Sequence, residues 1–349
     1  MPITKPNEEP ALKRRVTMRE VAARAGVSHQ TVSEVVNGSN KVAPATLERV
    51  MTAMTDLDFH PNHAARSMRL SRSFNVAYVV EKPTELADDA MALILAGLLE
   101  NLNAAGYSLV IRTIASDRKE ELEDLRRTLV QGRIDGVIFG AVAPSKAVSS
   151  MAAWSHPIVF FDQPALGDAV ATVWVQYRNG IKQAVEHLAA RGRQRIAFIG
   201  GPSEKKMRIL HNLERYAGYR EGLEACVRDY DPNLVIASDY TINGGRLATR
   251  TLLKRPKRPD AIVAASDRMA FGALQEIKAQ GLAVPKDIAV TGFDDFELAQ
   301  SADPPLTTVH FPVDALAKQA ARMLLARIEG KTVAAHESVA VKLVVRDST

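Results

Sequence analysis

The sequence predicts a small three-helix head followed by a larger two-lobed α/β core with parallel sheets. Three observations carry this. Residues 17–37 read as two short helices joined by a turn that contains glycine. From Asn75 onward, apolar runs of strand length alternate with amphipathic helical stretches, the pattern of parallel sheets covered by helices. These units are too many for one modest sheet, and 349 residues with 46% hydrophobic content suffice for two or three folding units.

Residues 1–15, rich in Pro, Asn, Glu, Lys and Arg, read as a flexible arm, and residues 16–60 as the head. Thr17 and Glu20 have the spacing of a capping box, which satisfies free backbone N–H groups at a helix start. Val21, Ala22 and Ala25 give that helix an apolar face, and Gly26 supplies the left-handed residue that stops it. Ser28 suits the N-cap of a second helix, which Asn37-Gly38 ends. Pro44 opens a third helix, whose Leu47, Val50, Met51, Met54 and Leu57 form an apolar stripe expected to pack across the first two. By geometry alone the pair of short helices fits two roles. It is either an ordinary helical hairpin in a core or a device that lays its second helix in a DNA major groove.

Charge favours the second role. The chain carries a net +5, and residues 1–72 hold 11 Lys/Arg against 7 Asp/Glu, while the remainder is nearly balanced. The excess sits where a polyanion would need it. Lys13, Arg14 and Arg15 supply much of it and would serve equally as a solubilising tail.

Pro61-Asn62 starts a segment, Asn62 to Leu70, rich in Ala, Arg and Ser and too short to be a stable helix alone. Ser71-Arg-Ser73 is a polar hinge, so 61–73 reads as a linker and 74–349 as the core. Buried strands are expected at Val76–Val80, Ser108–Arg112, Gly136–Phe139, Ile158–Phe161, Ile196–Ile199, Ala261–Ala264 and Ile288–Gly292. Helices are expected at Ala90–Ala105, Lys119–Gln131, Ile181–Arg191, Leu213–Ala225, Gly244–Leu253 and Arg268–Gln280. Ligands of such sheets bind beyond the carboxyl ends of strands. Glu81, Lys82, Asp162, Gln163, Ser266, Asp267, Asp294 and Asp295 stand there.

An enzyme is disfavoured. There is no Gly-x-Gly-x-x-Gly after a strand, no Gly-x-x-x-x-Gly-Lys-Ser/Thr, no His-Glu-x-x-His and no Gly-x-Ser-x-Gly. The pairs Asp88-Asp89 and Asp294-Asp295 suit solvated or capping roles better than acid–base work. Cys226 is the single cysteine, so neither an internal disulfide nor zinc-ligand spacing exists, and no metal or cofactor is expected. With no secretory signal and no apolar run near the ~20 residues of a membrane span, the expected location is cytoplasmic, at the nucleoid. Reversible binding fits better. Strand-end carboxylates accept from sugar or purine groups, Arg215 offers a forked pair of donors, and Trp174, Phe293 or Phe311 could stack on a flat ring or fill the core.

These residues together resemble the lactose-repressor (LacI/GalR) family of bacterial transcription regulators. In the head the resemblance rests on Val-Ala-Ala-Arg-Ala-Gly-Val-Ser28, Thr31-Val-Ser33, Val36-Asn-Gly38, Pro61-Asn62 and Ala65-Arg-Ser67. In the core it rests on Ile134-Asp-Gly-Val-Ile138, Arg215-Tyr-Ala-Gly-Tyr219, Ser266-Asp-Arg-Met-Ala270, Gly292-Phe-Asp-Asp295, Pro305-Leu-Thr-Thr308 and Val-Arg-Asp-Ser-Thr349. It covers nearly the whole chain after residue 15.

The resemblance implies a repressor that binds double-stranded, palindromic operator DNA as a homodimer, with a tetramer as the larger assembly, and answers to a small-molecule effector. His29, Gln30 and Glu34 match positions that face base edges in the major groove. Glu34 departs from the family, where Arg is usual. Thr17, Ser28, Thr31, Ser33 and Asn37 match phosphate contacts or caps. Asn62, Ala65, Arg66 and Met68 match a hinge helix that enters the minor groove, with Met68 at the position of a wedging leucine.

The core is similar to periplasmic sugar-binding proteins, with the ligand between the lobes. This implies an N-lobe of about 74–174 and 310–335 and a C-lobe of about 175–309 and 336–349. Glu81, Asp162, Trp174, Arg215, Ser266, Asp294 and Phe311 match or lie near effector contacts. A sugar or sugar acid is the expected effector, with a nucleobase or other metabolite as the alternative. A sugar-binding transport protein is the remote alternative, against which the head and the missing signal argue.

Overall fold

The computed structural model describes residues 16–36, 42–59, 67, 70–87, 89–114, 119–140, 151, 154–162, 171–201 and 210–349. It divides into two units, Met1–Ser73 and Phe74–Thr349.

The first unit holds α1 (Met18–Ala25), α2 (His29–Val36) and α3 (Pro44–Asp56). The capping box forms as the sequence demands. The Thr17 amide and hydroxyl donate to Glu20 Oε2 at 2.7 and 2.8 Å, and the Glu20 amide returns to Thr17 Oγ1 at 3.4 Å. Gly26 ends α1 with φ 64° and ψ 42°, and Ser28 Oγ accepts the Thr31 amide at 3.1 Å to start α2. Val21, Ala25, Val32, Val35, Val50, Ala53 and Phe59 are buried together.

The expected stripe on α3 is only partly right. Val50 is buried and Met54 and Leu57 are partly so, but Leu47 and Met51 are 43% and 52% exposed. At about 100° per residue they stand roughly 60° and 100° around the helix from Val50. Small Ala53, on the other flank of Val50, takes the buried position instead.

The second unit contains two six-stranded sheets. The first has the order β11-β5-β4-β3-β1-β2 and is parallel throughout. Its strands are β1 (Asn75–Val80), β2 (Ser108–Thr113), β3 (Gly136–Phe139), β4 (Ile158–Phe161), β5 (Ala171–Val175) and β11 (His336–Val339). The second has the order β12-β10-β9-β8-β6-β7, built from β6 (Ile196–Gly200), β7 (Val235–Ala237), β8 (Ala261–Ala264), β9 (Ala289–Asp294), β10 (Thr307–His310) and β12 (Lys342–Val344). Only β12 runs antiparallel, on the edge beside β10.

Helices cover these sheets: α4 (Asp89–Ala104), α5 (Lys119–Val130), α6 (Tyr177–Ala190), α7 (Leu210–Ala225), α8 (Ile242–Leu253), α9 (Asp267–Ala279), the short α10 (Glu297–Ser301) and α11 (Val313–Ile328). β3, β4, β6 and β8 are buried at every position, which explains their unbroken apolar runs. The sequence reading omitted β5, β7, β10, β11, β12, α10 and α11. Three of these strands have no legible apolar run: β7 and β12 are three residues long, and β11 is His-Glu-Ser-Val.

The chain passes between the sheets three times: from β5 into α6, from β10 into α11, and from β11 to β12. The last passage corrects the expected lobe boundary. His336–Val339 pairs with β5 in the first sheet, so the chain crosses after Val339 and not before His336. Gly180 on α6 lies against all this. A Cβ there would stand 2.8–2.9 Å from Val309, Phe293 and Val341, too close for any side chain. The missing Cβ lets α6 sit directly on β9, β10 and the passage from β11 to β12.

Candidate functional site

The head presents α2 with one face packed against its neighbours and the other turned outward. Val32 and Val35 are buried against the neighbouring helices, so Ser28, His29 and Gln30 are left exposed and Thr31, Ser33 and Glu34 half-buried. The Gln30 amide donates to Glu34 Oε1 across one turn at 3.4 Å. The hydroxyls of Thr17, Ser28 and Thr31 already serve the helix starts, with Ser28 Oγ and Thr31 Oγ1 2.9 Å apart. Asn37 and the hinge residues Asn62, Ala65, Arg66 and Met68 lie outside the described residues.

In the second unit the expected ligand residues converge on one that the sequence reading did not name, Tyr177. It opens α6 directly after a crossing strand. Its hydroxyl donates to Asp162 Oδ2 at 2.6 Å, and its ring meets Trp174 edge-on at 5.2 Å, Phe293 at 5.5 Å and Phe311 nearly parallel at 6.1 Å. Arg215, 6% exposed, lays its guanidinium 4.3 Å from the Tyr177 ring and 4.6 Å from the Phe293 ring. Its Nη2 lies 3.9 Å from Asp294 Oδ1, and its Nη1 donates to Tyr240 Oη at 3.4 Å. Tyr240 in turn donates to Asn212 Oδ1. His211 completes the group, 5.8 Å from Tyr177 and 6.4 Å from Tyr240 between ring centres.

Thus Asp162, Trp174, Arg215, Asp294 and Phe311 are brought together. Ser266 sits at the same edge of the second sheet but caps α9, accepting the Met269 amide at 3.3 Å. Glu81 follows β1 at the carboxyl edge of the first sheet, half-buried, and is not among the partners of Tyr177 described above.

The turn carrying Asp294 is braced from below. Asp267, 2% exposed, accepts the Asp295 and Phe296 amides at 2.7 and 3.3 Å and the Thr308 hydroxyl. Asp295 is held by Arg346 at 2.6 Å and His310 at 3.1 Å. The adjacent acids Asp294 and Asp295 are therefore bracing and lining groups with cationic partners. Asp162, Tyr240, Asp294 and Asp295 all have positive φ (54°, 63°, 123° and 61°). Non-glycine residues keep such conformations where the surroundings enforce them, often around ligands.

Burial dominates the electrostatics. It pushes the Asp162 carboxyl up to about 6, against the Tyr177 hydrogen bond and the Arg215 charge. Burial likewise raises Asp267 to about 7. Burial, then the Arg215 charge, hold His211 well below the ordinary imidazole value, so it is neutral. Asp162 Oδ1, Asn212 Nδ2 and Arg215 Nε are buried without a partner among the described residues. Unmet acceptors and donors beside aromatic faces suit a ligand that carries both hydroxyls and apolar surface. No group of His, Cys, Asp or Glu among the described residues is arranged to hold a metal ion.

Residues 17–62 match the profile of bacterial regulatory proteins of the lacI family, and residues 185–349 match a periplasmic binding protein-like domain. The chain is 37% identical over 326 residues to the HTH-type transcriptional regulator CelR of Thermobifida fusca, covering 92% of this chain and 94% of the relative. The structure of a CelR–cellobiose complex superposes with a TM-score of 0.70 at 36% identity, over 96% of this chain and all of that one. The Lac repressor dimer bound to operator and the anti-inducer ONPF superposes with a TM-score of 0.80 at 29% identity, over 96% of this chain and 99% of that one. The chain belongs to the lacI family of bacterial transcriptional regulators.

Proposed function

We propose that this chain is a repressor that binds a palindromic operator as a dimer and is controlled by a sugar or sugar acid held between its two lobes. On this reading His29, Gln30 and Glu34 of α2 face base edges. Thr17, Ser28, Thr31, Ser33 and Asn37 approach phosphates, and residues 62–70 form a minor-groove hinge with Met68 as its wedge. Asp162, Arg215 and Asp294 bind ligand hydroxyls, and Trp174, Phe293 and Phe311 flank the ring, with Glu81 and Ser266 at the rim. Ligand binding favours one lobe arrangement and so changes whether two hinge segments can pair on DNA. The ligand shifts that balance only by its differential affinity for the two arrangements.

The observation that carries the effector reading is the trio Asp162 Oδ1, Asn212 Nδ2 and Arg215 Nε, which have no partner among the described residues and lie beside aromatic rings. The CelR–cellobiose complex supports a sugar as its ligand class. The aromatic faces grouped around Tyr177 would also stack on a flat nucleobase, which is the second reading. Thermal shift with cellobiose, glucose, glucuronate and adenine tests this, followed by gel shift with any stabilising compound. A sugar that raises Tm and changes operator affinity supports the first reading. Adenine alone doing so supports the second. DNA binding without sequence selectivity, under every ligand, ends the repressor reading.

A further inference from the structure

Arg49 stands on α3, yet its guanidinium closes the turn between α1 and α2. Its Nη2 donates to the carbonyl of Ala25 at 2.6 Å and to that of Gly26 at 3.0 Å, and its Nε donates to Ala25 at 3.2 Å. These carbonyls lie at the C-terminal end of α1, where helix acceptors lack amide partners and the dipole is negative. Gly26 is needed twice over. Its φ of 64° is left-handed, and a Cβ there would stand 3.2 Å from Arg49 Nη2. Arg24 and Asp56, 2.8 Å apart, tie α1 to α3 a second time.

The turn matters because α2 begins three residues after Gly26. Eight residues are too few for a helix to hold its direction by its own stability. Its aim is set by the buried Val32 and Val35 and by the turn that feeds it. We propose that Arg49 is a positioning residue for base readout: its fork fixes the turn that aims α2. Losing the fork then lowers discrimination between DNA sequences and leaves the general attraction to DNA alone. The inference rests on the reading of α2 as the base-facing helix.

The rival role is a direct phosphate contact through Arg49 Nη1, which has no partner among the described residues. Salt dependence separates the two. The probes are a duplex that the full-length wild-type chain selects from a randomised pool, and a shuffled duplex of the same composition. Dissociation constants are measured for both from about 50 to 200 mM salt. Arg49→Lys keeps the charge but ends one atom short of the Nη2 position and has no second donor nitrogen to pair on Ala25; Arg49→Gln loses both the charge and the fork.

The expected result is a fall in the shuffled-to-selected ratio of about threefold or more for Arg49→Lys and about tenfold or more for Arg49→Gln, with unchanged salt slopes. Far-UV circular dichroism checks helix content, and if Arg49→Gln unfolds the head, Arg49→Lys decides. A wild-type ratio in Arg49→Lys overturns the proposal. So does an equal loss on both duplexes in Arg49→Gln with a slope shallower by about one, the mark of a phosphate contact. A pool from which the wild-type chain selects nothing removes the base-facing reading of α2, and this inference with it.

Discussion

Tyr177 donates its hydroxyl to Asp162 across the two lobes, 2.6 Å from donor to acceptor. Asp162 directly follows β4 of the first sheet, and Tyr177 opens α6, which packs on the second sheet and on α7. The bond therefore reports the relative position of the lobes as well as lining the ligand site. Tyr177→Phe keeps the ring stack and removes the bond, leaving a buried carboxylate oxygen unmet. A loss of about 1–3 kcal/mol is expected in urea unfolding. If Tyr177→Phe unfolds at the wild-type midpoint, the bond contributes nothing to holding the lobes.

The Asp162 carboxyl predicts a pH dependence with a definite sign. Burial raises its folded value to about 6 from 3.8, so the folded chain holds this proton more tightly than the unfolded chain does. Stability from this group is complete below pH 3.8 and is lost as pH rises to about 6. A rise from 3.8 to about 6 corresponds to on the order of 3 kcal/mol. Asp162→Asn lacks the titration, so its Tm relative to wild type should rise between pH 4 and 7. A constant difference across that range would show that the carboxyl titrates normally.

Arg215 lies under the aromatic rings and against Asp294, away from the DNA-reading unit in sequence. Arg215→Ala removes the buried cation between carboxylates. The sugar-dependent rise in Tm and the effector response in gel shift should both disappear. Operator affinity without effector should stay within about threefold of wild type, as expected for a site that acts only through the ligand. A retained thermal shift would remove Arg215 from the ligand contacts.

Gly245 tests the packing that holds the second lobe together. A Cβ on it would collide with the Met269 carbonyl, and one on Gly272 with that of Ile242, so α8 and α9 approach backbone to backbone. Gly245→Ala must separate the two helices, at a cost of about 1–3 kcal/mol. Chemical denaturation of the full chain measures it. A neutral or stabilising effect would mean that the helices part without cost.

The head and the buried strands were legible because periodicity and capping chemistry are local. Thr17, Glu20, Gly26 and Ser28 each do in the structure what their residue types demand. The centre of the ligand site was not legible for the same reason. Helix starts were read from apolar spacing, which placed α6 at Ile181 and α7 at Leu213. The true first turns are polar, and they carry Tyr177, His211 and Asn212. One signal was available: His211 and Asn212 lie four and three residues before Arg215, on its side of the helix. Tyr240 and the strand β11 had none, since one depends on a left-handed turn and the other on a partner strand about 160 residues away.

Glu34 gives the sharpest test of what α2 reads. It is half-buried one turn after Gln30, and it brings a negative charge to a surface proposed to meet phosphates. Two effects compete. Repulsion from the DNA backbone weakens binding to every sequence, while acceptance from a cytosine N4 donor favours particular sequences. Glu34→Gln removes the first and changes the second. Affinity for a shuffled duplex should rise several-fold, by about 1 kcal/mol for one charge removed from an interface of this kind. Preference at one base pair of the selected duplex should change by about 1–3 kcal/mol. Titration against single-base variants of that duplex reads both effects separately. If affinity for shuffled DNA rises but no base preference changes, Glu34 is a charge near the backbone and His29 and Gln30 carry the readout alone.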